Sequence, residues 1–371
     1  MFIIKKQIRI LYLSSALWNL SITGAWVAIL AARGFSLVQI GLAETVFHIT
    51  SLLFEIPSGV LADVIGRKKM LILSNLSTII ANLVMVMSAG FTGVCISFVF
   101  NALGWNLSSG SGDALAYDSL KLVSEEKRYE GYASNQVIIY RITTAVSTLC
   151  AGIALLLGYR IAYLISVVNH LIALFFTFAL VEVEHTDEEE KPGPKEKMTI
   201  KTVLGKMLAC FGESLRFLRD HRRVSIMMFS NSFVGALDIL LLFFLQSKLR
   251  DASLPDMWLG VALFVMEVGG ILGARVILKA KKVRYAVIFT VCTVVVLSGV
   301  LLEHTGAIPF MVLGGFLSAA ADDALQVRTD ARLQDSFSSA QRATLISIES
   351  FTFSAVMIVL SPLAGWFFSI W

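Results

Sequence analysis

The sequence predicts an all-α membrane protein with many spans, and three observations carry this prediction. The first is composition: 56% of the 371 residues are hydrophobic and only 16% are charged, with a mean hydropathy of +0.76. The second is a series of apolar segments long enough to cross a bilayer. The third is the position of the basic residues, which gather in alternate connections between these segments. This composition is typical of a bilayer protein rather than of a soluble core.

Eleven segments have the length and apolar character of transmembrane helices, and we number them spans 1 to 11. Spans 1 to 6 cover residues 10–31, 37–62, 70–89, 93–116, 131–157 and 161–181. Spans 7 to 11 cover residues 224–246, 258–278, 285–302, 307–327 and 342–363.

The basic residues predict the orientation of these spans. With the N-terminus in the cytoplasm, 26 of the 31 Lys and Arg residues lie on the cytoplasmic side. Arg33, Arg160, Lys248 and Arg250 lie outside, and Arg141 lies within span 5. Because positive charge concentrates on the inner face, we expect a multi-pass protein of the cell membrane with a cytoplasmic N-terminus. The net charge of +4 therefore calls for no nucleic-acid partner.

One polar linker interrupts the series of spans. The run from Glu182 to Lys197 changes from acidic to basic and contains Pro192 and Pro194. Residues 200–218 follow, with apolar positions at helical spacing and cations between them. This pattern predicts an amphipathic helix on the cytoplasmic membrane surface.

The linker divides the chain into two predicted bundles. We expect a six-helix bundle over residues 1–185, a cytoplasmic linker over 186–222 and a second bundle over 223–371. A shift of 210 residues lays Asp-Ala-Leu at 113–115 on Asp-Ala-Leu at 323–325 without a gap. The match supports two homologous halves, as transporters commonly have.

The turn between spans 2 and 3 carries the most specific motif. Gly59, Asp63 and Gly66 are followed by Arg67 and Lys68 in the pattern GxLxDxxGRxx. We expect Gly59 to permit close helix packing, Gly66 to relax the turn, and the cations to stay on the inner face. This stretch resembles the span 2 to span 3 signature of the major facilitator superfamily.

The resemblance implies a fold and a mechanism. It implies the superfamily fold of two pseudo-symmetric helical bundles, with twelve helices where eleven are seen here, and alternating access to a cavity lined by spans 1, 4, 7 and 10. The five motif residues, Gly59, Asp63, Gly66, Arg67 and Lys68, would form a cytoplasmic gate. The sequence around them looks like that of multidrug-efflux relatives.

Polar residues within the spans are the cavity candidates, because each costs several kcal/mol in hydrocarbon unless it faces a cavity or a partner. Asp113, Tyr117 and Asp323 lie toward the cytoplasmic ends, so they either contact substrate or form ion pairs of an inner gate. The candidates are Glu44, His48, Glu55, Trp105, Asn106, Asp113, Tyr117, Asn231 and Asp323.

Asp238 and Glu267 are the proton-coupling candidates, together with Arg141. Both acids lie near the bilayer middle on neighbouring spans, where a carboxyl group can carry a proton. Arg141 lies inside span 5 and needs an acid partner, for which Asp113, Asp238 and Glu267 are the candidates.

No pattern in the sequence indicates an enzyme. It contains no GxSxG, HExxH or GxxxxGK[ST] motif, and its four cysteines are far apart, so no metal site, cofactor or disulfide framework is expected. We therefore expect a secondary transporter, monomeric among membrane lipids, that exports a drug-like or amphipathic small molecule by proton coupling. The alternatives are a proton-coupled uptake symporter for a small metabolite and a non-transporting receptor on the same fold.

Overall fold

A computed structural model gives the fold, and it describes residues 2–183, 205, 212, 216, 219–280, 282–336 and 339–370. Within these ranges, the side chains at 2, 3, 56, 60, 63, 64, 334–336 and 339–347 are not described. The predicted linker and amphipathic helix lie almost wholly outside the described residues.

The described chain consists of α-helices and two short 3-10 turns. The helices before the linker are α1 (Phe2–Asn19), α2 (Trp26–Ala32), α3 (Leu37–Ile65), α4 (Arg67–Met87), α5 (Phe91–Ser108), α6 (Ser111–Lys121), α7 (Tyr129–Leu149), α8 (Ala151–Leu157) and α9 (Tyr159–Phe178). Those after it are α10 (Arg222–Asp251), α11 (Asp256–Val276), α12 (Tyr285–Glu303), α13 (Ile308–Ser336) and α14 (Ser339–Ile370).

Nine described helical segments are long and apolar enough to cross a membrane, or ten if the bent pair of α7 and α8 counts as one span. This confirms an all-helical fold with many spans. Span 1 is not among them, because it is divided between α1 and α2.

Three predicted spans are interrupted. The prediction of spans 1 and 5 as single straight helices was wrong, whereas residues 91–121, which contain span 4, still count as one membrane-crossing segment. Span 1 breaks between Asn19 and Trp26, in a stretch rich in Ser, Thr and Gly. Span 4 breaks where Gly110 adopts a left-handed conformation with φ of 69°. Span 5 bends by 44° between Leu149 and Ala151. The apolar pattern is unbroken only across the bend after Leu149. The break in span 4 falls in the polar run 108–113, which is a turn signal that the span assignment did not use.

The described residues form two compact units. Of the described residues, the first contains 2–21, 50–144 and those between 163 and 215, and the second contains 22–49, 145–162 and those between 216 and 370. These units divide the chain differently from the predicted bundles, because two segments that precede the linker belong to the second unit. The predicted bundles remain a prediction.

Small residues bring the helices of the first unit together. The hydroxyl of Ser74 on α4 donates to the carbonyl of Gly104 on α5 at 2.7 Å. A buried cluster of Ile10, Leu11, Leu115, Ala116, Tyr132 and Leu180 joins α1, α6, α7 and the end of α9. The α4–α5 and α6–α7 regions are therefore held at fixed positions within this unit.

In the second unit, two reciprocal glycine pairs allow backbones to touch. A Cβ at Gly41 on α3 would overlap the carbonyl of Ser361 on α14, and one at Gly365 would overlap that of Leu37. The second pair, Gly152 on α8 and Gly260 on α11, meets Asp256 and Leu149 in the same way. Both crossings require glycine because the backbones leave no room for a side chain.

Candidate functional site

Gly66 shapes the basic turn between α3 and α4. Its φ of 96° is rarely adopted by other residues, and a Cβ there would lie 2.5 Å from a carboxylate oxygen of Glu182. That carboxylate accepts hydrogen bonds from the backbone N–H of Arg67 at 2.9 Å and of Lys68 at 3.1 Å. Glu182 therefore caps the N-terminus of α4, where a negative charge is favourable.

The side chain of Arg67 is held by a second acid. Its Nη1 lies 2.6 Å from Oδ2 of Asp118 on α6, and both side chains are mostly buried. Neither acid is among the site residues predicted from the sequence, because Glu182 belongs to the polar run of the linker and Asp118 was not singled out. The signal was present for Asp118, since it is an acid two residues beyond the predicted end of span 4, which already carries Asp113.

The rest of the gate motif stays a prediction. The backbone of Asp63 lies in α3, but its side chain is not described. Gly59 is exposed, and a Cβ there would meet no described atom within 4 Å. The expected close helix packing at Gly59 is therefore not found. Lys68 is half-buried at the start of α4.

A cavity of about 330 Å³ lies within the first unit, and we call it the first-unit cavity. Helices α1, α4, α6 and α7 supply most of its wall. This volume falls in the range of sites for small molecules. The polar and aromatic residues that line it include Ser14, Trp18, Asn75, Asp113, Tyr132, Gln136 and Tyr140.

The first-unit cavity offers hydrogen-bond acceptors to a ligand. The Nε2 of Gln136 donates to the hydroxyl of Tyr132, while its Oε1 is buried without a partner among the described residues. Asp113 adds an exposed carboxyl group, and no Lys or Arg lines the cavity. A ligand with N–H or O–H donors, or with a positive charge, would complement this wall.

A more open cavity of about 530 Å³ adjoins the basic turn in the same unit. Asp113 lines both cavities, and Tyr117 lines the second together with Arg67 and Asp118. Asp113 therefore lies between the first-unit cavity and the ion pair at the basic turn. The structure brings these three candidates, Asp113, Tyr117 and Arg67, into one region.

The polar side chains of span 2 contact different partners along α3. The Nε2 of His48 lies 3.4 Å from Glu44, and its Nδ1 lies 3.3 Å from the hydroxyl of Ser354 on α14. Asn106 exchanges hydrogen bonds with the side chain and carbonyl of Ser51, at 2.8 and 2.6 Å. Asn106 thus joins α3 to α5, and its predicted contact with the cavity stays a prediction.

Two other candidates, Trp105 and Glu55, line neither the first-unit cavity nor the cavity beside the basic turn. Trp105 is 53% exposed and is absent from both walls. Glu55 is half-buried on α3. Both stay unassigned as substrate contacts.

Four carboxyl groups from three helices interact in the second unit, and we call them the carboxyl cluster. Asp238 on α10 interacts electrostatically with Glu267 on α11 and with Asp322 and Asp323 on α13. Asp238 is 9% exposed. The Oδ1 of Asp322 is buried without a hydrogen-bond partner in the described part of the chain.

Glycines make room for this cluster. A Cβ at Gly270 on α11 would lie 2.5 Å from Oδ2 of Asp323, and one at Gly235 on α10 would lie 3.3 Å from Oδ1 of Asp322. The helices therefore hold the carboxyl groups against bare backbone. The structure brings together Asp238, Glu267 and Asp323, which the sequence named for two separate roles.

Asn231 and Arg141 have other surroundings. The Nδ2 of Asn231 donates to Gln326 at 2.6 Å, and Gln326 donates in turn to Asp330. Arg141 is exposed on α7 and forms no ion pair with any acid whose side chain is described. The acid partner expected for Arg141 is therefore not found.

Comparison with known proteins supports the membrane fold. Residues 10–321 match the sequence model of the Major Facilitator Superfamily. An uncharacterized MFS-type transporter of Bacillus subtilis (strain 168), YxaM, is 24% identical over 269 residues, which are 70% of this chain and 62% of YxaM. The chain thus spans less than two thirds of the length of that relative.

Solved structures share the fold at low sequence identity. The nucleoside transporter NupG, as its D323A mutant, has a TM-score of 0.73 at 16% identity, covering 97% of this chain and 90% of its own. A bacterial homologue of the human lysosomal transporter Spinster has a TM-score of 0.73 at 15% identity, covering 98% and 81%. A D-xylose-proton symporter has a TM-score of 0.67 at 12% identity, covering 99% and 89%.

These relatives are described as transporters rather than enzymes, in agreement with the sequence prediction. The family match covers most of the chain, and the fold is the one that the basic-turn motif implied. The protein belongs to the major facilitator superfamily.

Proposed function

We propose that this protein is a secondary transporter that exports a small amphipathic compound by alternating access, driven by proton movement. The observation that carries the proposal is the carboxyl cluster. Asp238 lies in a membrane-spanning helix, interacts with three other acids, and pairs with no cation among the described residues. Buried carboxyl groups of this kind bind and release protons in transporters.

The first-unit cavity supports the choice of substrate class. Trp18, Tyr132 and Tyr140 offer aromatic faces, and Asp113 is the one acid among the residues that line it. Aromatic faces and a carboxylate both attract organic cations. We therefore place substrate at the first-unit cavity and the coupling proton at the carboxyl cluster.

Uptake by proton symport is the second candidate function. Two similar folds are those of a nucleoside transporter and a D-xylose-proton symporter. The first-unit cavity, with a volume of about 330 Å³, would also admit a neutral metabolite such as a nucleoside or a sugar. In either direction, we propose a monomer in the cell membrane with a cytoplasmic N-terminus and a gate that includes Asp63.

Transport by the purified full chain in proteoliposomes tests the proposal. The probes are ethidium, uridine and xylose, with a pH gradient of either sign. Export by antiport predicts that ethidium moves in the direction opposite to the flow of protons. Asp238→Asn should abolish this movement. Glu130→Gln, which removes an exposed carboxyl group on α7, should not. Movement of uridine or xylose in the same direction as protons would favour symport. Binding of a probe without accumulation would indicate a receptor.

A further inference from the structure

A third cavity lies where α10 and α12 end, and it shares no lining residue with the two cavities described above. Its volume is about 320 Å³. Lys248 and Asp251 from α10 line it, together with Glu303 and His304 at the end of α12. Met311 of α13 and Phe368 of α14 close the wall. We call it the α12-end cavity.

Glu303 is the unexplained group of this cavity. Glu303 is 4% exposed, and neither of its carboxyl oxygens has a hydrogen-bond partner among the described residues. A buried carboxylate costs several kcal/mol unless a positive charge neutralises it. The wall at Glu303 is therefore complementary to a cation.

Charged groups near Glu303 come from α10 and from its own turn. Lys248 and Asp251 line the cavity, and Asp238 lies deeper and interacts electrostatically with Glu303. The Nδ1 of His304 donates to the carbonyl of Val300, and burial lowers the pKa of His304. The cavity residues that α13 and α14 contribute are apolar.

A proton fits this place better than a metal ion. Metal cations need several oxygen or nitrogen ligands, and the described residues contain no group of three His, Cys, Asp or Glu side chains that could hold one. A proton needs one carboxyl oxygen. The carboxyl group of Asp238, which belongs to the carboxyl cluster, is the acid with which Glu303 interacts.

We propose that Glu303 is the proton acceptor through which protons in the α12-end cavity reach Asp238. A hydronium ion gives its proton to a Glu303 oxygen and leaves as water. The new O–H bond then breaks as the proton passes to a carboxylate oxygen of Asp238, through bridging water where the two groups do not touch. Each bridging water accepts one proton and gives up another, so it is unchanged overall. The inference rests on the proposed function, to which it adds the route of the coupling proton.

Infrared difference spectroscopy of the full chain tests proton binding without any substrate. The spectra compare high and low pH for wild type, Glu303→Gln and Glu130→Gln. We expect one protonated-carboxyl band to disappear in Glu303→Gln and to remain in Glu130→Gln. An unchanged set of bands in Glu303→Gln would overturn the proposal, as would a Glu303 band that shifts when sodium replaces choline in the buffer.

Ethidium flux in proteoliposomes tests the route. Glu303→Gln should slow gradient-driven ethidium movement by about tenfold or more, while ethidium exchange at equal pH stays within about twofold of wild type. Glu303→Asp, which keeps the carboxyl group, should recover part of the gradient-driven rate. A normal gradient-driven rate in Glu303→Gln, or an equal loss of exchange, would overturn the route. If wild type moves no ethidium, the proposed export fails, and the infrared result still decides whether Glu303 binds a proton.

Discussion

At the scale of single residues, Gly66 shows how a short motif fixes a turn. Its left-handed φ of 96° and the carboxylate of Glu182 leave no room for a side chain. We expect Gly66→Ala to lower the free energy of unfolding by about 1–3 kcal/mol. Gly90→Ala is the matched control, because Gly90 has an extended backbone and an added methyl group there would meet no described atom within 4 Å. Thermal unfolding in detergent measures both, and equal effects would contradict the account.

The ion pair between Arg67 and Asp118 should be strongly coupled. The pair is mostly buried at 2.6 Å, so removing one partner leaves the other charge uncompensated. A double-mutant cycle with Arg67→Ala and Asp118→Ala should give a coupling energy of about 1–3 kcal/mol. The exposed pair Arg128 and Glu125, at 3.7 Å, should give about 0.5 kcal/mol or less. Similar coupling in the two cycles would show that burial adds nothing.

His304 should make stability depend on pH. Burial and the positive charge of Lys248 lower its pKa, which the hydrogen bond to Val300 partly offsets. The folded state therefore favours neutral His304, so its contribution is complete above the ordinary histidine pKa of about 6.5 and is lost as pH falls below it. Wild type should lose more thermal stability on acidification than His304→Gln. Parallel losses in the two proteins would contradict this prediction.

The residues that sequence reasoning found and missed differ in one physical respect. Asp113 and Asp238 stand out because a single acid in an apolar span is costly wherever it faces. Glu182 lies in a polar run, so nothing in its local pattern shows that it returns to cap α4. Contacts between distant segments of this kind have no signal in one sequence without an alignment.

At the scale of helices, the glycine crossings determine which backbones can touch. Gly152 on α8 lies against the carbonyl of Asp256, so Gly152→Ala should separate α8 from α11 and cost about 1–3 kcal/mol. Gly131→Ala on α7 is the control, since a methyl there meets no described atom within 4 Å and alanine favours a helix by up to about 1 kcal/mol. Unfolding in detergent distinguishes them, and a neutral Gly152→Ala would show that the crossing is loose.

The helices also show which features hydropathy can predict. Apolar length located the nine or ten described segments that can cross a membrane and the basic turn between α3 and α4, whereas span 1 is not among these segments. It did not predict the bend after Leu149, because the apolar pattern continues across it. The break at Gly110 lies in the polar run 108–113, where the turn residues rather than apolar length carry the signal. It also ended spans 10 and 11 early, since α13 continues to Ser336 and α14 to Ile370. Helices extend beyond the apolar segment wherever backbone hydrogen bonding continues.

At the scale of the whole molecule, the account assigns two tasks to two compact units. The first unit holds a cavity with aromatic and acceptor groups, and the second holds four interacting carboxyl groups. The sequence placed Asp113 and Asp323 in one set of cavity candidates. The structure gives them different surroundings, because Asp323 lies with Asp238 while Asp113 lies beside Tyr117.

The central claim is that substrate and proton bind at different places that are energetically coupled. The most direct test is ethidium affinity against pH for the purified wild type, Asp113→Asn and Asp238→Asn. We expect wild-type affinity to fall as pH falls, by up to about tenfold per pH unit for one competing proton. Asp113→Asn should bind ethidium more weakly than wild type at every pH. Asp238→Asn should bind ethidium well, with an affinity that does not change with pH. A wild-type pH profile in Asp238→Asn would contradict the account.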